Sequence, residues 1–157
     1  MAVGWPGQWA ASFTRDAGTG LIVRAGHILD RRRGGLHQID SGEIWLAARR
    51  IEGLGKGQYD WSAADRIVAG VEEFGLKLIV RVDHEPEWAG PPPQNTSHLL
   101  DFLTALTTRY KGRIHAYQVW NEPNLAREWG NKPPNAGEYT QMLKAAYQAI
   151  KAVDPNA

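Results

Sequence analysis

Ile114-His115-Ala116-Tyr117-Gln118-Val119-Trp120-Asn121-Glu122-Pro123-Asn124 is the stretch on which the reading turns. Ile114 to Trp120 is aromatic and β-branched at strand length, and Asn121-Glu122-Pro123-Asn124 then carries the residues that end strands in turns. On its N-terminal side, Thr96 or Ser97 can cap a helix whose apolar face is Leu99, Phe102, Leu103, Leu106 and Tyr110, with Gly112 as its stop. Further back, Lys77 to Val82 is a second strand, and Pro86 and Pro91-Pro92-Pro93 forbid regular structure after it. Before that strand, Ser62 is a candidate cap for a helix through Ala64, Ile67, Val68, Val71 and Phe74, closed by Gly75. On the C-terminal side, Asn135 caps a last helix with Tyr139, Met142, Leu143, Ala146, Ile150 and Val153 on one face, and Pro155 closes it.

Helix, strand, helix, strand, helix with crossovers of this length implies βαβ units and a parallel sheet. Right-handed crossovers bring the C-terminal ends of both strands to one edge, where such folds bind ligands. Asp83-His84-Glu85 and Asn121-Glu122 therefore share a rim. A glutamate in a partly dry cleft near another carboxylate is pushed towards the protonated form, as a general acid requires. Asn-Glu-Pro-Asn alone reads as an ordinary strand-ending turn. The apolar strand before it and the second polar rim weigh for chemistry.

Composition sets the bounds. The chain has 157 residues and a formal net charge of +1, which argues against nucleic acid and membrane surfaces as partners. Cysteine is absent, so no disulfide or thiolate metal site is possible. Residues 1–13 show no signal-peptide pattern, and the apolar runs are too short to span a bilayer. Seven tryptophans suit stacking on sugar rings, but the count by itself reads more readily as cores and turns. The grammar changes near residue 50: residues 1–50 hold seven Arg and no Lys, whereas 51–157 hold five Arg and six Lys. Gly20–Ala25 and Gly42–Ala47 are open between strand and short helix, and Arg31-Arg32-Arg33 reads as a solvated loop. Gly53-Leu54-Gly55-Lys56-Gly57 neither follows a clear strand nor opens a helix, so a phosphate loop is not indicated.

Tyr117-Gln118-Val119-Trp120-Asn121-Glu122-Pro123-Asn124 resembles the fourth strand of clan A retaining glycoside hydrolases, with family 39-like and family 5-like enzymes nearest. Gly57-Gln58-Tyr59-Asp60-Trp61 with Asp65, Gly75 to Val82, Pro86-Glu87-Trp88-Ala89 and Arg109 to Ile114 resemble other parts of that pattern, so the likeness covers residues 51–157. It implies an α/β fold: an incomplete (β/α)8 barrel of roughly the first four βα units, preceded by a poorly matching region over residues 1–50. A complete barrel needs about 250 residues. The resemblance implies Glu122 as general acid/base, and Asn121, His84 and Trp88 as substrate-binding residues, with β-linked carbohydrate as partner and neither metal nor cofactor. His84 stays open between a sugar ligand and a loop histidine bonded to backbone. Trp88 stays open between a sugar platform and hydrophobic cover, and Trp129 between an outer subsite and the core.

The family's nucleophile is a glutamate at the end of the seventh strand, and no residue here corresponds to it. Glu85 and Glu87 leave the other strand and do not face Glu122 across a sugar. The expectations are therefore a glycosidase chain incomplete by itself, self-association through open barrel edges, and, as an alternative function, a non-catalytic carbohydrate-binding or assembly module. Such families are often secreted. The Arg-rich, Lys-free bias of residues 1–50 fits translation from a shifted frame, which a family-like strand encoded in another frame would support.

Overall fold

The computed structural model describes residues 23–24, 28–30, 35–37, 41–73, 77–90 and 96–157. Phe74, Gly75, the Pro91–Pro93 run and Arg31–Arg33 lie outside the described residues, and so do the readings placed on them. The elements are β1 (Val23–Arg24), β2 (Ile28–Asp30), β3 (Gly35–His37), β4 (Ser41–Ala47), α1 (Ala48–Ile51), α2 (Ser62–Glu73), β5 (Lys77–Asp83), α3 (Thr96–Arg109), β6 (Ala116–Val119) and α4 (Ala136–Val153). A single 3-10 turn, Ala126–Glu128, lies between β6 and α4.

β4, β5 and β6 are parallel neighbours, Ile44 pairing with Val80 and Val80 with Tyr117. The helices α2, α3 and α4 alternate with these strands, as the sequence predicts. β1 joins the other side of β4 antiparallel, and β2 pairs antiparallel with β3 in a separate two-stranded sheet. The composition break at residue 50 falls inside α1, so the parallel sheet already begins upstream of it. Gly42–Ala47, open between strand and short helix in the sequence, lies within β4, and α1 follows directly.

Leu78, Val80 and Val82 alternate along β5, so all three leave one face of the pleat. They join Phe102, Leu103, Leu106 and Tyr110 of the α3 region in a common core, all at or near zero exposure. Each such side chain contributes about 1.5–3 kcal/mol on removal from water. Met142, Ala146 and Ile150 of α4 extend the same core, while Leu143 is 40% exposed. The apolar face read from the sequence is thus wider than the stripe that α4 buries.

Two start signals lie elsewhere than expected. Ser62 is the first residue of α2 rather than its cap; its amide donates to Asp60 Oδ1 at 3.0 Å. Bonds from the Ser62 hydroxyl and amide hold the Asp60 carboxyl below its ordinary range. Thr96 is likewise already helical. Asn135 caps α4 as predicted, its side chain accepting from the amides of Gly137 and Glu138. Gly112, at φ 73, ends the α3 segment where a side chain would be strained. Its amide donates to Asp154 Oδ2 at 2.7 Å, which ties the turn before β6 to the end of α4.

Candidate active site

The C-terminal ends of β5 and β6 lie side by side, because Trp120 N donates to Val82 O at 2.9 Å and carries the pairing one residue past β6. The rim predicted from the sequence therefore exists as neighbouring strand ends.

At the β5 end the chain turns sharply. His84 has φ 53, a left-handed conformation uncommon outside glycine, asparagine, aspartate and histidine. Its carbonyl accepts the Arg49 amide at 2.9 Å, and its ring Nδ1 stands 2.7 Å from Asp83 Oδ1. Asp83 is buried, and Arg81 Nε is 2.9 Å from its other oxygen. Of the two readings left open for His84, the ring's bond goes to a carboxylate, not to backbone. Glu85 follows, half-buried, with one carboxylate oxygen enclosed and without a hydrogen-bond partner. Burial is the first cause that raises its carboxyl above the ordinary range.

Trp88 is 41% exposed. Its indole N–H donates to Glu52 O at 3.0 Å, and its ring meets the His98 ring edge-on with centroids 4.6 Å apart. His98 Nε2 is 2.8 Å from Glu52 Oε2, and both residues are buried. Glu52 Oε1 also accepts the Gly57 amide at 2.6 Å. A carboxylate thus occupies an amide of the glycine-rich turn that a phosphate loop would need. Sequence reasoning missed Glu52 and His98. His98 had a signal, since it lies four residues before Phe102 on the buried face of α3. An open cleft of about 430 Å³ lies over Trp88, Pro86, Glu87, Arg49 and Gly53.

At the β6 end, Trp120 has φ 69 and is buried, with its indole N–H donating to Glu128 O at 2.8 Å. Glu122, at φ 40, leaves its side chain 50% exposed, with Oε2 2.9 Å from Arg127 Nη2. The sequence suggested a partly dry cleft near another carboxylate; the group that Glu122 pairs with is a guanidinium, and half of its side chain is open to water. Asn121 beside it is half-buried. A small enclosed space bordered by Asp83, Glu85, His98 and Trp120 joins the two strand ends. Trp129 is fully buried, donates to Glu138 Oε2 at 3.1 Å and packs edge-on against Tyr139. It belongs to the core and not to an outer subsite.

The chain is 26% identical over 126 residues to the beta-xylosidase of Geobacillus stearothermophilus, covering 68% of this chain and 25% of that protein. It is 29% identical over 111 residues to endo-1,4-beta-xylanase A of Phanerodontia chrysosporium, covering 65% and 27%. It therefore spans about a quarter of the length of these curated relatives. A family 39 glycoside hydrolase from Bacteroides cellulosilyticus WH2 shares the fold with TM-score 0.60 at 21% identity, over 74% of this chain and 24% of that one. The endoglucanase Cel5A of Thermotoga maritima does so with TM-score 0.53 at 16% identity, over 73% and 37%. The neighbours are TIM-barrel glycoside hydrolases, and residues 53–157 match the family described as Cellulase (glycosyl hydrolase family 5), to which this chain belongs.

Proposed function

We propose that this chain carries the acid/base half of a retaining site for β-linked glycosides, with Glu122 as the general acid/base. The observation that supports it is the position of Asn121-Glu122 just past the C-terminal end of β6, which the Trp120 N–Val82 O bond holds beside the polar end of β5. In this reading Glu122 gives its proton to the glycosidic oxygen as the C–O bond breaks and the nucleophilic carboxylate bonds the anomeric carbon. Glu122 then takes a proton from the water that releases the sugar. Arg127 faces only Oε2 of the carboxylate, at 2.9 Å. The Asn121 amide holds a sugar hydroxyl, His84 takes another, and the exposed face of Trp88 stacks on a ring. The nucleophile, a second carboxylate about 5–5.5 Å away, comes from outside the three parallel strands described here. The names of the curated relatives make xylose-based glycosides the first substrates to try.

The test is a titration of the chain with xylo-oligosaccharides, followed by nuclear magnetic resonance, beside hydrolysis of aryl β-xylosides and β-glucosides. Binding that perturbs Asn121, His84 and Trp88, with hydrolysis no greater than in Glu122→Gln, is expected. Binding elsewhere, or none, sinks the reading. Hydrolysis lost in Glu122→Gln keeps the acid/base role and shows that a nucleophile is present. A second reading, a non-catalytic carbohydrate-binding or assembly module, draws support from the Glu122–Arg127 pair, which occupies the carboxylate. Among the described residues β6 pairs with β5 alone, so its other edge is the place for self-association. A strictly monomeric chain in light scattering would remove that part.

A further inference from the structure

Arg81 and Asp83 stand two residues apart on β5, so the pleat sends both to the face opposite Leu78, Val80 and Val82. Their side chains are 8% and 1% exposed, with Arg81 Nε 2.9 Å from Asp83 Oδ2. The remaining oxygen, Oδ1, is 2.7 Å from His84 Nδ1. An ionised carboxylate accepts and cannot donate, so the ring nitrogen facing it is the donor. A neutral ring then keeps its proton on Nδ1 and leaves Nε2 as a bare acceptor. The backbone is fixed as well, by the positive φ of His84 and the Arg49 amide on its carbonyl. With the His84 side chain 38% exposed, one edge of the ring is bound to Asp83 while the ring still reaches solvent at the rim.

We propose that Asp83, held by Arg81, is a positioning residue: it fixes His84 in the Nδ1–H form and presents Nε2 as an acceptor to a sugar hydroxyl. The sugar part rests on the glycoside reading above; the tautomer part does not. A hydroxyl can donate once while accepting elsewhere. An acceptor at Nε2 takes the hydroxyl proton and leaves the oxygen lone pairs for other donors. The opposite tautomer would donate to the same oxygen and leave the hydroxyl proton without this acceptor. Asp83 thus selects which hydroxyl orientation the rim can bind, without touching the sugar.

Long-range proton–nitrogen spectra of the 157-residue chain decide the matter, with His84 assigned through its loss in His84→Gln. At a pH where the ring is neutral, the expected result is an unprotonated-type shift at Nε2 and a protonated-type shift at Nδ1. A protonated-type shift at Nε2 overturns the proposal. In Asp83→Asn the two tautomers are expected to mix, and xylo-oligosaccharide binding to weaken about tenfold, the worth of one well-placed hydrogen bond. A cooperatively melting Asp83→Asn chain with an unchanged His84 tautomer also overturns it. If that variant does not fold, the spectrum of the unmodified chain still decides. A chain that binds no oligosaccharide overturns the glycoside reading and the sugar-presenting role with it, while the nitrogen shifts still report whether Asp83 sets the tautomer.

Discussion

At the end of β5, a carboxylate with 1% exposure meets a guanidinium with 8%; at the end of β6, a carboxylate with 50% exposure meets a guanidinium with 69%. Both pairs have the same separation, 2.9 Å. Distance alone would rank them equal, although of the two contacts only Arg127 Nη2–Glu122 Oε2 has hydrogen-bond geometry. Burial separates them, because the same charges interact far more strongly away from water and suffer far more when one partner is lost. The β5 end is therefore a fixed support, on which His84 is held from ring and backbone. The β6 end keeps Glu122 where water reaches it, which is what the proposed acid/base role asks of it.

The contrast predicts its largest effect at Asp83. Asp83→Ala leaves the Arg81 charge buried without this partner and should cost about 3–5 kcal/mol of stability, read by chemical denaturation. A loss below about 1 kcal/mol would put the two rims in one class. The next effect sharpens the β6 side. The Tyr139 hydroxyl donates to Val119 O at 3.0 Å and so ties α4 to the last residue of β6. Tyr139→Phe should cost about 1 kcal/mol, with amide exchange quickened around Val119 and Trp120 rather than along β5. Equal quickening of both strands would mean that the ends are not independent.

Most of the scaffold could be read directly, because β5, α3 and α4 keep clean periods and Asn135 carries its own capping chemistry. The rim could be placed but not built. Neighbouring strand residues point to opposite faces, so nothing in Asp83-His84 announces a bond between the two side chains. The bond exists because the chain leaves β5 at His84 with φ 53, which swings the ring back onto Asp83. Glu52 and His98 are 46 residues apart and meet only once α1 and α3 are packed. Leu143 fits the period of α4, yet the buried stripe is narrower than the period allows.

Glu85 gives the comparison a sign test. Its carboxyl is raised above 4.5, first by burial, so the folded chain resists its ionisation. A group with a raised folded value contributes stability that is complete below 4.5 and is lost as pH rises through the folded value. At neutral pH, Glu85→Gln should therefore raise the melting midpoint, and the gain should vanish in acid. It should be smaller than the Tyr139 loss, since one carboxylate oxygen is enclosed while the residue as a whole is half-buried. A variant less stable than the parent at neutral pH would show that Glu85 holds the rim together instead of straining it.

The smallest effect belongs to Arg127. Exposed pairs contribute about 0–1 kcal/mol and are screened by salt. Arg127→Met should thus barely move the melting midpoint, and added salt should erase the difference that remains. Removing this guanidinium frees the Glu122 carboxylate without touching the β5 support. If Glu122 is the proton donor, the variant should bind xylo-oligosaccharides as the parent does or better. A loss of several kcal/mol would mean that the Glu122–Arg127 pair holds the loop after β6, and that both strand ends are structural supports. The contrast between a built rim and an open one would then fall, and with it the physical case for a movable proton at Glu122.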